Sequence, residues 1–394
     1  MTDIAIAHKD FDVRGGGEVF ARRLAEALDA PLYVGRRNLE NEPDADIDII
    51  EIPLSRVDKW MIDRYGLSRT FAYMTRWQAA AEQLADYDVV ITSGNEPLWY
   101  VGPDEQTVIA YTHSTPRFMY DLYPETMDFS GVFGRLASVF NAAKRAAYES
   151  NVNRPDFWIA NSDLVARRME KYWNLSSKQI ETVYPPVDVS NYSPDFEDTG
   201  DYYLHLGRLA DHKNIEEIVE AFSFADEKLI IAGEGPMREA LEKRATDNIE
   251  FVGFVDEAEK RRLYAGAKAL VYPPLNEDFG MVPIEAMSSG TPVIGVRDGF
   301  TKYQVLDGDN GLLYDRGPGS LYDAINEFEA SGVEWTDGMI ASFAHRHFGI
   351  GRFEAQMRNI VEGVAEETQV TVPWDDAEQP ASERSKPVRG ESSA

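Results

Sequence analysis

The chain has 394 residues, no cysteine and a formal net charge of −29. That length points to two domains rather than one core, the missing thiols exclude disulfides, thiolate nucleophiles and cysteine metal sites, and the acid argues against a nucleic-acid partner, whose phosphates need a basic face. The acid is spread along the chain rather than gathered in blocks, a pattern that resembles halophilic proteins, in which salt screens self-repulsion. The opening "MTDIAIAH" lacks a basic n-region and reads as a first strand rather than a leader. No run reaches the eighteen or so apolar residues of a membrane span, so a cytoplasmic location is expected.

Short apolar, β-branched runs alternate with segments of helical period. "DIAIAH", "PLYVG", "IDIIEIP", "YDVVITSG", "QTVIAYTH" and "DFWIANS" form one series; "YYLHLGRL", "EKLIIAGEGP", "IEFVGFV", "KALVYPP", "TPVIGV" and "GLLYD" form another. Runs apolar on both faces and separated by helices predict parallel strands buried between helix layers. The fold class is therefore α/β, with two doubly wound Rossmann-like domains; facing each other across a hinge, they would enclose a cleft at their strand ends. Prolines, aspartates and polar residues break the pattern between Tyr184 and Tyr203, which sets domains at 1–187 and 188–349. The spacing of "GRFEAQMRNIVEGVAEE" predicts a helix over 350–367 that packs back on the N-terminal domain, and the Pro-, Ser-, Glu- and Arg-rich tail 368–394 reads as disordered.

In the first half, Phe20, Leu24, Ala27 and Leu28 share one helical face, so a helix starts just after Gly15, Gly16 and Gly17. Glycines between a strand and a helix let backbone approach a phosphate, which the helix N-terminus attracts; a tight packing turn is the alternative. A dinucleotide fingerprint would need its third glycine where Phe20 stands, which disfavours a nicotinamide cofactor. Two stretches run against the global charge: Arg56–Arg76, with five Arg/Lys against two Asp, and Arg135–Lys171, with seven against four acids. Trp60, Tyr65, Phe71, Tyr73 and Trp77 interleave the first. Such a mixture suits anionic headgroups or a lipid pyrophosphate, hence a peripheral contact at the inner face of the cell membrane, or else ordinary helix packing. His113 closes the strand "QTVIAYTH" and would face the cleft; satisfaction by local backbone is the alternative.

In the second half, a strand ends at Gly207 and places Arg208 and Lys213 in the loop before the next helix. Arg binds a diphosphate bidentately and Lys as a point charge. "IIAGEGPMREAL" repeats the design, with Gly233 and Gly235 leaving bare backbone for a base or ribose. In "EDFGMVPIEAMSSGTPVIG", Pro283 opens a short helix and Gly290 ends it; Glu277 falls in the entry loop and Glu285 in the first helical turn, where the dipole favours negative charge. Carboxylates there accept paired sugar hydroxyls, which makes Glu285 a ribose clamp and Glu277 a hexose contact. "DADID" at Asp44–Asp48 and "DGD" at Asp307–Asp309 read as loop or strand-edge acids, and no metal site is assigned.

Carried by Gly15–Gly17, "LGRLADHKN", "IAGEGP", "NIEFVGFV" and above all the E-x7-E segment Glu277–Glu285, the chain from about Asp3 to Glu366 resembles glycosyltransferase family 4, the retaining enzymes of the GT-B fold. "YTHSTPRFMYD" is similar to the subgroup that includes mannosyltransferases of surface polysaccharides and lipid-linked oligosaccharides. The resemblance implies transfer of a hexose, mannose first, from a nucleoside-diphosphate sugar to a lipid-linked or glycan acceptor, with retention, without a metal and without a cofactor beyond the donor. It implies that Arg208 and Lys213 bind the diphosphate, Glu277 the sugar and Glu285 the ribose, with His113 beside the reacting centre. Donor contacts are further implied at Gly16, Gly17, Gly233, Glu234, Val255, Phe279 and Gly280. One departure touches donor choice: "DGFTKYQVLDGDNGLLYD" has Phe300 and Tyr303 where the family often has glycine and glutamate. Glycoside hydrolysis or phosphorolysis by paired carboxylates, and nucleotide-sugar binding without catalysis, remain as rival readings of the residues.

Overall fold

The computed structural model describes residues 2–11, 15–38, 47–52, 56–62, 67–120, 131–152, 154–194 and 200–365; the tail 368–394 lies outside them. The chain forms two units. The first runs to Val189 and takes the chain up again at Arg346, and the second spans Ser190–His345.

The first unit is built on a seven-stranded sheet in the order β3-β2-β1-β4-β5-β6-β7. Its strands are β1 (Ile4–His8), β2 (Leu32–Val34), β3 (Ile49–Glu51), β4 (Val89–Ser93), β5 (Thr107–Thr112), β6 (Phe157–Ala160) and β7 (Ile180–Thr182), all paired in parallel. Period-two alternation sends Ala5, Ala7, Ala110 and Ala160 to one face and Ile6, Ile91, Ile109 and Ile159 to the other. The alanine face leaves room for large rings, and Trp77, Trp158 and Trp173 pack there. The opposite face takes helix Gly16–Leu28 and, from the far end of the chain, helix Ile350–Ala365, whose Phe353, Met357, Ile360 and Val361 enter the same core as Phe20. The Arg358 guanidinium also donates to the Ala27 carbonyl at 2.9 Å.

Tyr73 and Trp77 are fully buried, so these two aromatics of the basic stretch serve the core and cannot meet a lipid surface. Tyr65 and the side chain of Phe71 lie outside the described residues, and Trp60 is exposed. Among the described residues no helix is long and apolar enough to cross a membrane.

The second unit carries a six-stranded parallel sheet in the order β10-β9-β8-β11-β12-β13, with β8 (Tyr203–Leu206), β9 (Leu229–Ala232), β10 (Ile249–Gly253), β11 (Ala269–Tyr272), β12 (Val293–Val296) and β13 (Gly311–Tyr314). Both sheets reverse strand order once, between β1 and β4 and between β8 and β11. At such a switch point the crossovers leave in opposite directions and open a crevice at the carboxyl ends.

His205 lies inside the second sheet, 1% exposed, with Nδ1 3.1 Å from the Val271 carbonyl of β11. Burial lowers its pKa to about 4, the Lys213 charge adds to the lowering, and the bond to Val271 opposes it. The unfolded imidazole titrates near 6.5 and binds a proton that the native one refuses. Stability from this residue is therefore complete above about pH 6.5 and drains away as pH falls towards 4, by about 3 kcal/mol at most. His205→Asn, which keeps a donor for Val271, should show a flatter dependence of Tm on pH between 6.5 and 4.5 than the parent. Parallel curves would show that His205 is not held neutral.

Candidate functional site

In the second unit the loops after β8, β9 and β10 close on one another backbone to backbone. A methyl group on Gly233, whose φ is +137°, would stand 1.9 Å from the Gly207 carbonyl oxygen, and the Gly233 amide donates to the Gly253 carbonyl at 2.7 Å. Only glycine permits that approach. Arg208, directly after Gly207, is exposed and has no ion pair among the described residues. Glu234 is exposed and paired with Arg238, and Val255 is half-buried in the loop after β10.

A 3₁₀ turn over Asp211–Lys213 then brings Lys213 Nζ to 2.7 Å from Glu277 Oε2, both side chains half-buried. Glu277 comes from the loop after β11, so the ion pair bridges the two strands of the switch point. That loop is held by backbone. The Phe300 amide donates to the Glu277 carbonyl at 2.9 Å, and a methyl on Gly299 would stand 2.5 Å from the Glu277 nitrogen. Gln304 donates to the carbonyls of Phe279 and Gly280, at 2.8 and 3.0 Å. The rings of Phe279 and Phe300 are buried and stack 5.5 Å apart. Phe300, noted above as a departure, thus props the loop from behind, and Phe279 offers a ligand only backbone.

The helix that follows starts at Met281, with Gly280 before it at φ +80°. Glu285 therefore falls in its second turn rather than its first, and its charge is met by side chains instead of the dipole. Lys260 Nζ lies 3.3 Å from Oε1, and the Tyr264 hydroxyl donates to Oε2 at 2.9 Å. Burial, then the Glu285 charge, shape the pair: the Lys260 pKa is raised on balance despite its desolvation. Tyr272, at the end of β11, feels both glutamates; burial first and then Glu277 hold its hydroxyl protonated. Burial, then Lys213, lower the His212 pKa; Glu277 opposes and Arg208 adds to the lowering. Arg208, Lys213, Glu277, Tyr272 and Glu285 thus gather at the carboxyl ends of β8 and β11. Asp307 is occupied by Arg297 and the Leu313 amide, each at 2.8 Å; Asp44 and Asp46 lie outside the described residues.

The first unit holds a second polar cluster at its own switch point. His8 ends β1 and Ser93 ends β4, directly opposite in register; His113 follows β5. Ser93 Oγ lies 3.0 Å from His8 Nδ1 and 2.9 Å from His113 Nε2, so His113 is satisfied by a side chain rather than by local backbone. His8 is 1% exposed and its Nε2 has no partner among the described residues. It lies beneath the glycine turn: a methyl on Gly17 would stand 3.8 Å from it. Gly16 and Gly17 open helix Gly16–Leu28, whose N-cap Gly15 supplies no side-chain bond. Phe20 stands edge-on to His113 at 4.6 Å. Burial, with Lys9 adding, lowers the His113 pKa to about 4, and burial, then His113, hold His8 neutral too. His8 and Ser93 are absent from the candidates drawn from the sequence. A polar pair ending two otherwise apolar strands was the only sign of them.

Residues 14–191 match the family model "Glycosyltransferase Family 4" and residues 192–337 match "Glycosyl transferases group 1". Among curated relatives, the chain is 32% identical over 178 residues to the O-antigen chain mannosyltransferase RfbU of Salmonella typhimurium, covering 43% of this chain and 49% of that one. It is 32% identical over 129 residues to the GDP-mannose-dependent alpha-(1-6)-phosphatidylinositol dimannoside mannosyltransferase of Mycobacterium tuberculosis, covering 31% and 34%. The chain thus spans half or less of these relatives' length. Its fold is that of HepE from Anabaena, solved with UDP-glucose (TM-score 0.69, 16% identity, 91% of this chain and 99% of that one), and of sucrose-phosphate synthase from Thermosynechococcus elongatus (TM-score 0.71, 18% identity, 93% and 100%). With its two halves matched in succession by glycosyltransferase models and its paired parallel sheets shared with GT-B enzymes, the chain belongs to glycosyltransferase family 4.

Proposed function

We propose that the protein transfers a hexose, mannose in the first instance, from a nucleoside-diphosphate sugar to a hydroxyl of a lipid-linked or glycan acceptor, with retention at the anomeric carbon and without a metal. The observation that carries this reading is the ion pair Lys213–Glu277 at one switch point, together with Arg208, which has no ion pair among the described residues. In a chain of net charge −29, cations concentrated at strand ends suit a diphosphate. Arg208 and Lys213 stabilise the charge that grows on the departing diphosphate, and the Gly233 loop leaves backbone open to the nucleoside, with contacts at Glu234 and Val255. Glu277, Phe279 and Gly280 serve the sugar, and Glu285 the ribose. Each glutamate oxygen accepts more than one hydrogen bond, so the bonds from Lys213, Lys260 and Tyr264 orient the carboxylates without exhausting them. Gly16 and Gly17 offer helix N-terminal amides to an anionic oxygen. A neutral His113 is assigned to the reaction by the family resemblance, and the leaving phosphate takes the acceptor proton. Mannose is favoured by the mannosyltransferase relatives.

Arg208→Ala, Lys213→Ala and Glu277→Ala should each lower kcat by about 10²–10³ with the circular dichroism spectrum retained, whereas Glu285→Ala should chiefly raise the donor KM. Since Lys213→Ala leaves Glu277 unpaired, Lys213→Ala/Glu277→Gln is the matching control and should recover little. Near-normal turnover of Glu277→Ala overturns its role.

The parent should gain thermal stability with one class among GDP, UDP and ADP sugars, since a ligand specific for the folded state raises Tm. Arg208→Ala should lose most of that gain. Proton NMR of the product should show the donor's anomeric configuration. Free sugar as the sole product, formed equally with and without acceptor, would identify a hydrolase instead.

A further inference from the structure

We propose that Ser93 and His8 are positioning residues that lock His113 in one neutral tautomer, with its proton on Nδ1. The proposal rests on the assignment of His113 to the proposed reaction only for its effect on rate; the tautomer itself stands on geometry. Ser93 has one hydroxyl proton and sits between two ring nitrogens, at 3.0 Å from His8 Nδ1 and 2.9 Å from His113 Nε2. With both rings neutral, two arrangements satisfy the chain. In the first, His8 Nδ1–H donates to Ser93 Oγ and the serine donates to His113 Nε2. In the second, every donor is reversed.

His8 Nε2 distinguishes them. The first arrangement leaves a lone pair there, the second an N–H. The atom is buried without a partner among the described residues, and an orphaned buried N–H is rarer than an under-satisfied acceptor. It lies under Gly17, at the N-terminus of the thirteen-residue helix Gly16–Leu28. The partial positive charge of that helix end favours a lone pair and disfavours a second donor. The first arrangement follows, and His113 Nδ1 carries a proton to offer a substrate oxygen.

Burial first, and then the surrounding charges, keep both rings neutral. Lys9 acts against protonation of each ring. Asp10, two residues beyond His8, is engaged by the Tyr73 hydroxyl and by Arg36 at 3.6 Å. Tyr111, whose ring centroid lies 5.1 Å from that of His113, gives its hydroxyl proton to the Val183 carbonyl at 2.6 Å. Phe20 stands perpendicular to the His113 ring, with the centroids 4.6 Å apart.

Long-range ¹H–¹⁵N spectra of the whole protein read the tautomer directly; with six histidines, His113 is assigned by the signal missing in His113→Gln. The parent should show His113 as the Nδ1–H form throughout pH 5.5–8. Ser93→Ala should mix the tautomers, lower kcat about tenfold with the donor KM unchanged, and move the acid limb of the kcat profile upward; Ser93→Thr, which keeps the hydroxyl, should restore all three. An Nε2–H form in the parent, or a tautomer unmoved by Ser93→Ala, overturns the relay. A tautomer that mixes while turnover stays constant upholds the relay and overturns instead the place of His113 in the reaction.

Discussion

A parallel sheet covered on both faces spends its backbone hydrogen bonds internally and its side chains on the core, so polar chemistry is confined to the strand ends. Here both sheets obey that constraint. β1 and β4 end in His8 and Ser93, β8 runs out into Gly207 and Arg208, and β11 leads through Tyr272 to Glu277. The side chains of both polar clusters are anchored near a strand end or on the helix that follows one. The glycines at 207 and 233 press the loops of β8 and β9 together, so the polar rim of the second unit rests on backbone contact.

Charge is organised more locally than the net value of −29 suggests. Glu277 is matched by Lys213, and Glu285 by Lys260 and the Tyr264 hydroxyl. Half-buried pairs of this kind contribute little net stability once desolvation is counted. Their effect is orientation: paired with lysines, the two carboxylates present oriented acceptors at little net charge. Tyr272, between the two, adds a protonated hydroxyl rather than a third anion.

Most of the fold was legible as pattern. Twelve apolar runs correspond to twelve of the strands, because strands buried on both faces must be continuously apolar. β7 escaped notice: its three residues, Ile180–Thr182, are all half-buried at a sheet edge, and an edge strand needs no apolar run. Glu285 was placed a turn too early because Pro283 suits the first turn at several positions, whereas Gly280 at positive φ sets the start at Met281. Trp77 illustrates a different limit. Spacing says that a helical face is apolar, but only the alanines of β1, β5 and β6 reveal the space that an indole fills.

The candidate site divides along the same line. Arg208, Lys213, Glu277 and Glu285 were legible because each falls in a segment of its own unit where strand, glycine and helix follow in close succession, and that local order dictates which loops rim the sheet. The linear chain by itself determined the α/β class, the doubling of the sheet and the identity of the charged residues at the strand ends. Tertiary structure alone decided which of these charges pair, that Phe300 supports a loop instead of facing a ligand, and that His8, Ser93 and His113 form one hydrogen-bonded chain. The reason is physical: a hydrogen bond between residues 85 or 20 positions apart depends on strand order and register, and neither is written in the spacing of either partner.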